Sequence, residues 1–169
     1  SRSGSMLLSL DTSLSSTGYA IFNDEGELIK YGRVQTEKKD YPTEDIRINT
    51  MCNMIEYIII EYNIDKIVCE DQFTSVNAKT ILLLRKLVGA IMRTANKFGI
   101  DVEYYYPQTW RRHLGINKGK SKEKKLLAYE YVTSQGIDIG EFKPTGVNKN
   151  DDIADAICIG FAYLKVKNK

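Results

Sequence analysis

The sequence from Leu7 to Phe22 reads LLSLDTSLSSTGYAIF, an apolar strand followed by a turn of small residues and a second apolar strand. One carboxylate, Asp11, stands where the first strand ends. An ionised aspartate at the end of a buried strand is costly unless it has a partner. That partner is either the backbone of the small-residue turn or a metal ion at the mouth of a sheet. This stretch alone leaves both interpretations open.

Length and composition describe one globular domain with a full core. The chain has 169 residues, of which 43% are hydrophobic and 27% charged, as in ordinary soluble proteins. The net charge is only +2, so any basic surface must be local. Residues 1–5 read SRSGS and resemble an expression scar, and we expect a single domain over residues 6–169.

Apolar runs and cysteines indicate the compartment. No apolar run approaches the roughly 20 residues that span a bilayer, so we expect no membrane partner. The three cysteines, Cys52, Cys69 and Cys158, lie among apolar residues without the spacing of metal ligands. This pattern is typical of reduced core thiols, and we therefore expect a cytoplasmic protein.

Hydrophobic periodicity predicts alternating strands and helices along the chain. The predicted strands cover residues 6–11, 18–23, 27–34, 66–70 and 101–106, and the predicted helices cover residues 43–63, 77–98, 107–113, 121–135 and 150–166. Residues 36–40 and 136–148 are polar or punctuated by glycine and proline, and we expect loops there. The order predicts an α/β fold, a mixed five-stranded sheet with helices on both faces in the ribonuclease H-like arrangement.

The helix predicted over residues 77–98 has an apolar stripe that is wider than one core face requires. The residues that widen it are Leu82, Leu83, Leu87 and Met92. The helix is either buried in a crowded core or shared between the core and a partner subunit. Because an α/β domain of this size has a limited interior, we favour a homodimer contact.

Four carboxylates stand at the ends of predicted elements. Asp11 and Glu70 each end a strand, and Asp152 and Asp155 open the last helix. Their spacing of three places the last two on one helix face. Capping of the helix dipole explains acids in the first turn of the helix. It does not explain Asp155, which lies one turn further along the helix, is flanked by two alanines and needs a cation.

Such an oxygen-only set suits Mg²⁺ or Mn²⁺ and does not suit zinc. Two such ions about 4 Å apart are the usual device for in-line displacement at a phosphodiester. One ion activates the attacking water, and the other stabilises the leaving oxygen. The carboxylates therefore favour phosphodiester hydrolysis without a nucleophilic side chain.

A basic cluster lies between Arg111 and Lys125, with seven basic residues against one acid. It is either a solvated lysine-rich loop or a phosphate-binding surface. Gly115 and Gly119 within it, and the helix that begins at Ser121, favour phosphate binding. The only histidine, His113, is expected at a helix end on the surface.

Phe73 lies three residues after Glu70 in the polar turn DQFTS, residues 71–75. An aromatic ring there can stack on an unpaired base, which is worth roughly 1–3 kcal/mol. It can equally pack against the next helix.

Three elements of the sequence match one known family. They are LSLDTS at residues 8–13 with TGYA at residues 17–20, Glu70 with Phe73, and DIADA at residues 152–156. With them the chain resembles the RuvC family of Holliday junction resolvases over nearly its whole length. The last two elements are the more specific ones, whereas the opening motif alone is weak.

The resemblance implies a homodimeric, Mg²⁺-dependent endonuclease that nicks four-way DNA junctions and leaves 5′-phosphate and 3′-hydroxyl ends. It assigns metal binding to Asp11, Glu70, Asp152 and Asp155, with two ions in each active site and Mn²⁺ as a substitute. It assigns base stacking at the opened crossover to Phe73. The host is then a bacterium or a bacterium infected by a phage.

The resemblance also makes Lys124 the lysine expected to contact phosphate in catalysis. The family commonly has a further lysine near Trp110, and here that role must fall to Arg111 or Arg112. The loop over residues 115–120 is longer and more basic than is usual in the family. The expected DNA-binding residues in this region are Arg111, Arg112, Lys118, Lys120, Lys122 and Lys124.

Other functions remain open at this point. A nuclease of the same fold could cut forks, other branched DNA or RNA–DNA hybrids. An ATPase of the actin and sugar-kinase type has a similar opening motif, but it needs two such domains and a second glycine-rich phosphate loop. A silent nucleic-acid-binding module is disfavoured, because unused buried acids would destabilise it.

Overall fold

Apolar strands build a single five-stranded sheet in this computed structural model, which describes residues 4–72 and 77–169. The strands are β1 (Leu7–Asp11), β2 (Ser16–Phe22), β3 (Leu28–Gln35), β4 (Lys66–Glu70) and β5 (Val102–Tyr105). The helices are α1 (Glu44–Glu61), α2 (Ala78–Lys97), α3 (Pro107–His113), α4 (Ser121–Ser134) and α5 (Asp151–Lys167). Each predicted element is present. The expected loop over residues 36–40 contains one 3-10 turn at Lys38–Asp40.

The strand order is β3-β2-β1-β4-β5. β1 pairs antiparallel with β2, and β2 pairs antiparallel with β3, whereas β4 runs parallel to both β1 and β5. In this register Leu10 lies opposite Cys69, so the last residues of β1 and β4 reach the same edge of the sheet. The mixed sheet therefore brings Asp11 and Glu70 together, as the sequence predicted.

Helices cover both faces of the sheet, because β1 and its neighbours carry apolar side chains on both sides. One core places Leu8 and Leu10 against α1 and α2. The other places Leu7 and Val68 against α3, α4 and α5. The three cysteines are free and buried in these cores. In the described part of the chain, no helix has the length and apolarity needed to cross a bilayer.

Helix α5 approaches the sheet so closely that two glycines are required. A Cβ atom on Gly18 would lie 2.1 Å from the carbonyl oxygen of Asp152, and a Cβ atom on Gly160 would lie 2.1 Å from Cε1 of Phe22. In the same contact, buried Ser9 donates from Oγ to the carbonyl oxygen of Ala156 at 2.7 Å. The first turns of α5 are thereby fixed beside the end of β1.

The segment before α5 is irregular, as predicted, and the buried side chain of Asn150 ties three of its backbone groups together. Asn150 donates from Nδ2 to the carbonyl oxygens of Ile139 (3.1 Å) and Glu141 (2.8 Å). Its Oδ1 accepts from the backbone N–H of Lys143 at 2.9 Å. These bonds fix the point at which α5 begins.

The close approach of α5 predicts that Gly160→Ala lowers the free energy of unfolding by about 1–3 kcal/mol, because the new methyl group overlaps the buried ring of Phe22. Thermal unfolding followed by circular dichroism measures this change. The matched control is Gly89→Ala in α2, where a Cβ atom meets nothing within 4 Å. That variant should be neutral or more stable, since alanine is the better helix former. Equal melting temperatures for the two variants would contradict the packing argument.

Candidate active site

Three acidic side chains line one cleft at the edge where β1 and β4 end. This cleft, of about 410 Å³, is called the acidic cleft below, and Asp11, Glu70 and Asp155 contribute its carboxylates. Asp11 and Glu70 arrive from neighbouring parallel strands, and Asp155 arrives from the second turn of α5. The other residues that line the acidic cleft are Gln72, Pro107, Gln108, Arg111, Ser121, Lys124 and Lys125.

The loop after β1 is tied to β4 by its side chains. Thr12 donates from Oγ1 to the carbonyl oxygen of Glu70 at 2.8 Å, and Thr17 donates from Oγ1 to the carbonyl oxygen of Ser13 at 2.6 Å. The small residues of the opening stretch therefore bond to the backbone of the turn and of β4. Within the described residues none of them hydrogen-bonds to the carboxylate of Asp11, which faces Glu70 and Asp155 instead.

Buried donors orient the carboxylate of Glu70. Trp110 donates from Nε1 to Oε2 of Glu70 at 2.7 Å, and both side chains are buried. Gln72 donates from Nε2 to Oε1 at 3.5 Å. One carboxylate oxygen of Glu70 thus accepts a short hydrogen bond from α3. The other accepts only a long, weak hydrogen bond from the neutral amide of Gln72.

Arg111 is the cation nearest to these acids. Its Nη2 lies 3.5 Å from both carboxylate oxygens of Asp155, and its Nη1 donates to the carbonyl oxygen of Lys124 at 2.9 Å. Its guanidinium lies 4.2 Å from the ring centre of Trp110. Arg111 was predicted to be a DNA-binding residue, and the structure buries it inside the acidic cleft, leaving 7% of it exposed.

Asp152 does not line the acidic cleft, although its charge acts on Asp11 and Asp155. Ser16 donates from Oγ to its Oδ2 at 2.5 Å, and the backbone N–H of Ile153 donates to its Oδ1 at 3.0 Å. Arg33 and Lys149 approach Oδ2 at 3.9 and 4.0 Å. The structure therefore brings together three of the four predicted ligands and holds the fourth beside them.

Burial and mutual repulsion make the acids hard to ionise. Burial raises the pKa of Asp11 well above its usual range, and the charges of Glu70 and Asp155 raise it further. Burial raises the pKa of Asp155 to about 8, although Arg111 lowers it. Burial also raises the pKa of Asp152, opposed by the hydrogen bond from Ser16. The charged forms of Asp11 and Asp155 are therefore unfavourable in the metal-free cleft, and a bound cation would stabilise them.

This donor set fits a hard divalent cation, since it offers carboxylate oxygens and an amide oxygen without sulfur or imidazole. Among residues 4–72 and 77–169, no three histidine, cysteine or acidic side chains stand close enough together to hold an ion as they are placed. The carboxylates do not converge on one point because that of Glu70 is bonded to Trp110 and that of Asp155 is paired with Arg111. A bound ion would compete with these two donors for the carboxylates.

The predicted basic cluster forms one rim of the acidic cleft. Lys124 is half-buried and lines the cleft, next to Ser121 at the start of α4. The other predicted DNA-binding residues are exposed on α3, on the loop or on the first turn of α4: Arg112, Lys118, Lys120 and Lys122. Phe73 lies outside the described residues.

Several residues of the site were not predicted. Ser16, Arg33 and Lys149 surround Asp152, and Lys125 pairs with buried Asp151 at 3.3 Å. Apart from Lys149, which stands three residues before Asp152, these contacts join residues far apart in sequence, so no local pattern indicates them. The role of Trp110 could have been predicted, because the only tryptophan of the chain, placed after a strand and beside a basic residue, is a candidate for a buried hydrogen-bond donor.

The fold and the site together indicate the class of protein. A mixed sheet in this strand order, with buried acids where β1, β4 and α5 meet, has the ribonuclease H-like fold that the sequence predicted. Comparison with known families then gives a particular assignment. The sequence model of the crossover junction endodeoxyribonuclease RuvC family matches residues 7–162. The chain therefore belongs to the RuvC family.

Relatives and solved structures agree with this assignment. The RuvC of Rickettsia conorii (strain ATCC VR-613 / Malish 7) is 26% identical over 166 residues, which cover 96% of this chain and 99% of that protein. A Thermus thermophilus RuvC in complex with a Holliday junction substrate superposes with a TM-score of 0.72 at 14% identity, covering 97% and 95% of the two chains. A fowlpox virus resolvase, solved with Holliday junction DNA, gives 0.64 at 17% identity, covering 97% and 99%. At these identities the two solved structures support the fold.

The raised pKa of Asp155 predicts that the metal-free protein loses stability as the pH rises. Between the ordinary value of 3.8 and about 8 the folded protein holds a proton that the unfolded chain releases, so the free energy of unfolding falls across this window. The melting temperature, measured in EDTA, should fall by about 5 °C between pH 5 and pH 8.

Asp155→Asn removes one of the titrating groups and should make this decline shallower, while Asp11, whose pKa is also raised, still contributes to it. The control Asp40→Asn changes an exposed aspartate and should follow the wild-type curve. A wild-type melting temperature that rises over this window would contradict the placement of Asp155 among buried acids.

Proposed function

We propose that residues 6–169 form one nuclease domain that cuts four-way DNA junctions by hydrolysing phosphodiester bonds, leaving 5′-phosphate and 3′-hydroxyl ends. The observation that carries this proposal is the acidic cleft, in a chain of the RuvC family, with the buried carboxylates of Glu70 and Asp155, the half-buried carboxylate of Asp11 and a basic rim. The proposed location is the cytoplasm of a bacterial cell or of a bacterial cell infected by a phage. Three free, buried thiols suit that reducing compartment.

We assign metal binding to Asp11, Glu70, Asp152 and Asp155, with two Mg²⁺ ions in each site and Mn²⁺ as a substitute. Bound ions of this kind activate water and stabilise the leaving oxygen at a phosphodiester. Three of these carboxylates already line the acidic cleft. Asp152 can join them if its contacts with Ser16 and Arg33 are exchanged for an ion.

Other residues of the chain position these groups. Trp110 and Gln72 orient Glu70, and Arg111 holds Asp155 until an ion replaces it. Lys124, at the cleft, contacts the phosphate that is cut. Hydrogen bonds to a charged oxygen are roughly twice as strong as neutral ones, so a lysine in this place stabilises charge that develops during the reaction.

The exposed basic residues would hold the DNA backbone beside the cleft. Phosphate contacts fix the register of a protein on DNA and carry no sequence information. Arg112, Lys118, Lys120 and Lys122 are exposed, and no ion pair among the described residues occupies them. Phe73 is assigned to stacking on a base at the opened crossover.

A homodimer completes the proposal, because a four-way junction needs two cuts. The proposed contact is α2, on which Leu82 remains 63% and Met92 45% exposed. This explains why the apolar stripe is wider than the core requires.

Strand cleavage of a labelled four-way junction tests the function. The assay uses Mg²⁺ and EDTA in parallel, with a plain duplex, a replication fork and an RNA–DNA hybrid beside the junction. Paired nicks on the junction alone, lost in EDTA, are expected. Comparable cutting of forks would mean a broader branched-DNA nuclease, and cutting of the hybrid an activity of the ribonuclease H type. No cutting with either Mg²⁺ or Mn²⁺ would overturn the proposal.

The metal assignment predicts that Asp11→Asn, Glu70→Gln, Asp152→Asn or Asp155→Asn lowers the cleavage rate by about 1,000-fold or more, because each ion contributes several kcal/mol to the transition state. Junction binding, measured in EDTA by gel shift, should change little. The control is Asp71→Asn, which removes an acid next to Glu70 that pairs outside the cleft with Arg85 at 3.1 Å. Cleavage at the normal rate in a ligand variant would contradict that residue's assignment.

The proposed dimer contact predicts that Leu82→Glu converts the dimer to a monomer, because a carboxylate would then be buried in an apolar interface. Sedimentation velocity measures the assembly. Ile60→Glu is the matched control, since Ile60 is 60% exposed on α1. A wild-type monomer at tens of micromolar, or equal effects of the two variants, would argue against the α2 contact.

A further inference from the structure

A second cavity adjoins the acidic cleft on the side away from the basic rim. This cavity, of about 350 Å³, is called the arginine pocket below. Gln72 lines both cavities, and Thr12, the residue after Asp11, lines the arginine pocket. Its walls are the loop after β1, the first turn of α1 and the first turns of α2. The lining residues are Thr12, Ser13, Leu14, Ser15, Arg47, Gln72, Thr80, Leu83 and Leu84.

Arg47 is the only charged residue of the arginine pocket. It is 8% exposed, and its hydrogen bonds go to neutral oxygens alone. Nε donates to Oγ1 of Thr36 at 3.0 Å, and Nη2 donates to the carbonyl oxygen of Thr36 at 3.0 Å and to Oγ of Ser15 at 2.8 Å. Nη1 donates no hydrogen bond within the described part of the chain and is not fully buried, so it is accessible from the cavity.

No acid neutralises this guanidinium. None of the ion pairs in the described part of the chain includes Arg47, and residues 1–3 and 73–76 contain no aspartate or glutamate. The side chain also lies in the first turn of α1, where the helix dipole is positive. A cation buried in this way is unfavourable unless an anion pairs with it.

The chemistry of the arginine pocket indicates which anion fits. Arg47 offers an N–H group, and the serine and threonine hydroxyls and the amide of Gln72 are further neutral donors. Leu14, Leu83 and Leu84 supply apolar surface. A phosphate diester next to a sugar has both features, since its oxygens accept hydrogen bonds and its sugar is partly apolar.

We propose that the arginine pocket binds a backbone phosphate of the junction strand, next to the phosphate that is cut, with Arg47 as the main contact. The inference rests on the proposed function. It places phosphate binding on both sides of the acidic cleft, at the basic rim and at Arg47. The strand would then be held at two points with the scissile bond between them.

The salt dependence of junction binding tests this inference, because each neutralised phosphate contributes about 0.9 to the slope of log K against log salt concentration. Binding is measured in EDTA, so that the DNA is not cut. Arg47→Met should reduce the slope by about 1 and weaken binding by on the order of tenfold. The matched control Lys167→Met removes one charge at the opposite end of the sheet and should leave the slope unchanged.

A second variant separates phosphate binding from a purely structural role. Arg47→Lys keeps the charge but cannot reproduce the bonds to Thr36 and Ser15, so its melting temperature should fall while its salt slope stays close to that of the wild type. If Arg47→Met does not fold, Arg47→Gln takes its place, and its salt slope is compared with those of Arg47→Lys and the wild type.

The outcomes distinguish the two proposals. Wild-type binding to junctions with an unchanged slope in Arg47→Met or Arg47→Gln overturns the arginine pocket and leaves the proposed function standing. A slope that falls equally in Arg47→Lys and Arg47→Met means that Arg47 only supports the loop, and it also overturns the inference. A wild-type protein that binds no junction overturns both.

Discussion

The repulsion among buried carboxylates is the constraint around which the site is arranged. Asp11, Glu70 and Asp155 share one cleft, and burial together with their mutual charges raises the pKa of Asp11 and of Asp155. In a monomeric fold such a cluster is destabilising. Arg111 contacts Asp155 at 3.5 Å, and a cation bound among the three carboxylates would stabilise their charged forms further. The cluster therefore indicates a function and not a contribution to stability.

The fold holds these acids together by rigid elements. β1 and β4 bring two of them through the parallel register, and α5 brings the third because Gly18 and Gly160 let the helix approach the sheet. Helices and strands position side chains more accurately than loops do. The loop at the same edge carries the exposed lysines that we propose to contact DNA, where some adjustment on binding is useful. This division explains why the acids lie on regular elements and the exposed lysines on a glycine-containing loop.

Much of this arrangement could be predicted from the sequence. Strands and helices follow from periodicity to within about two residues, and the confirmed family assignment follows from the motifs at residues 8–13, 17–20 and 152–156 together with Glu70 and Phe73. The orientation of single side chains could not be predicted. The spacing of Asp152 and Asp155 places both on one helix face, yet the first bonds to Ser16 and does not line the cleft, whereas Arg111 holds the second in it. Those contacts depend on tertiary packing between residues that are distant in sequence.

Arg111 and Arg47 show why a count of basic residues does not locate a binding surface. Arg111 belongs to the densest basic stretch of the chain, yet it is buried against Asp155 and Trp110. Arg47 stands in an otherwise ordinary amphipathic helix, and its charge is buried beside neutral oxygens. The first arginine has a carboxylate partner within the protein, and the second has none. Since a buried charge requires a partner of opposite sign, the unpaired arginine is the better indicator of where an anionic strand passes.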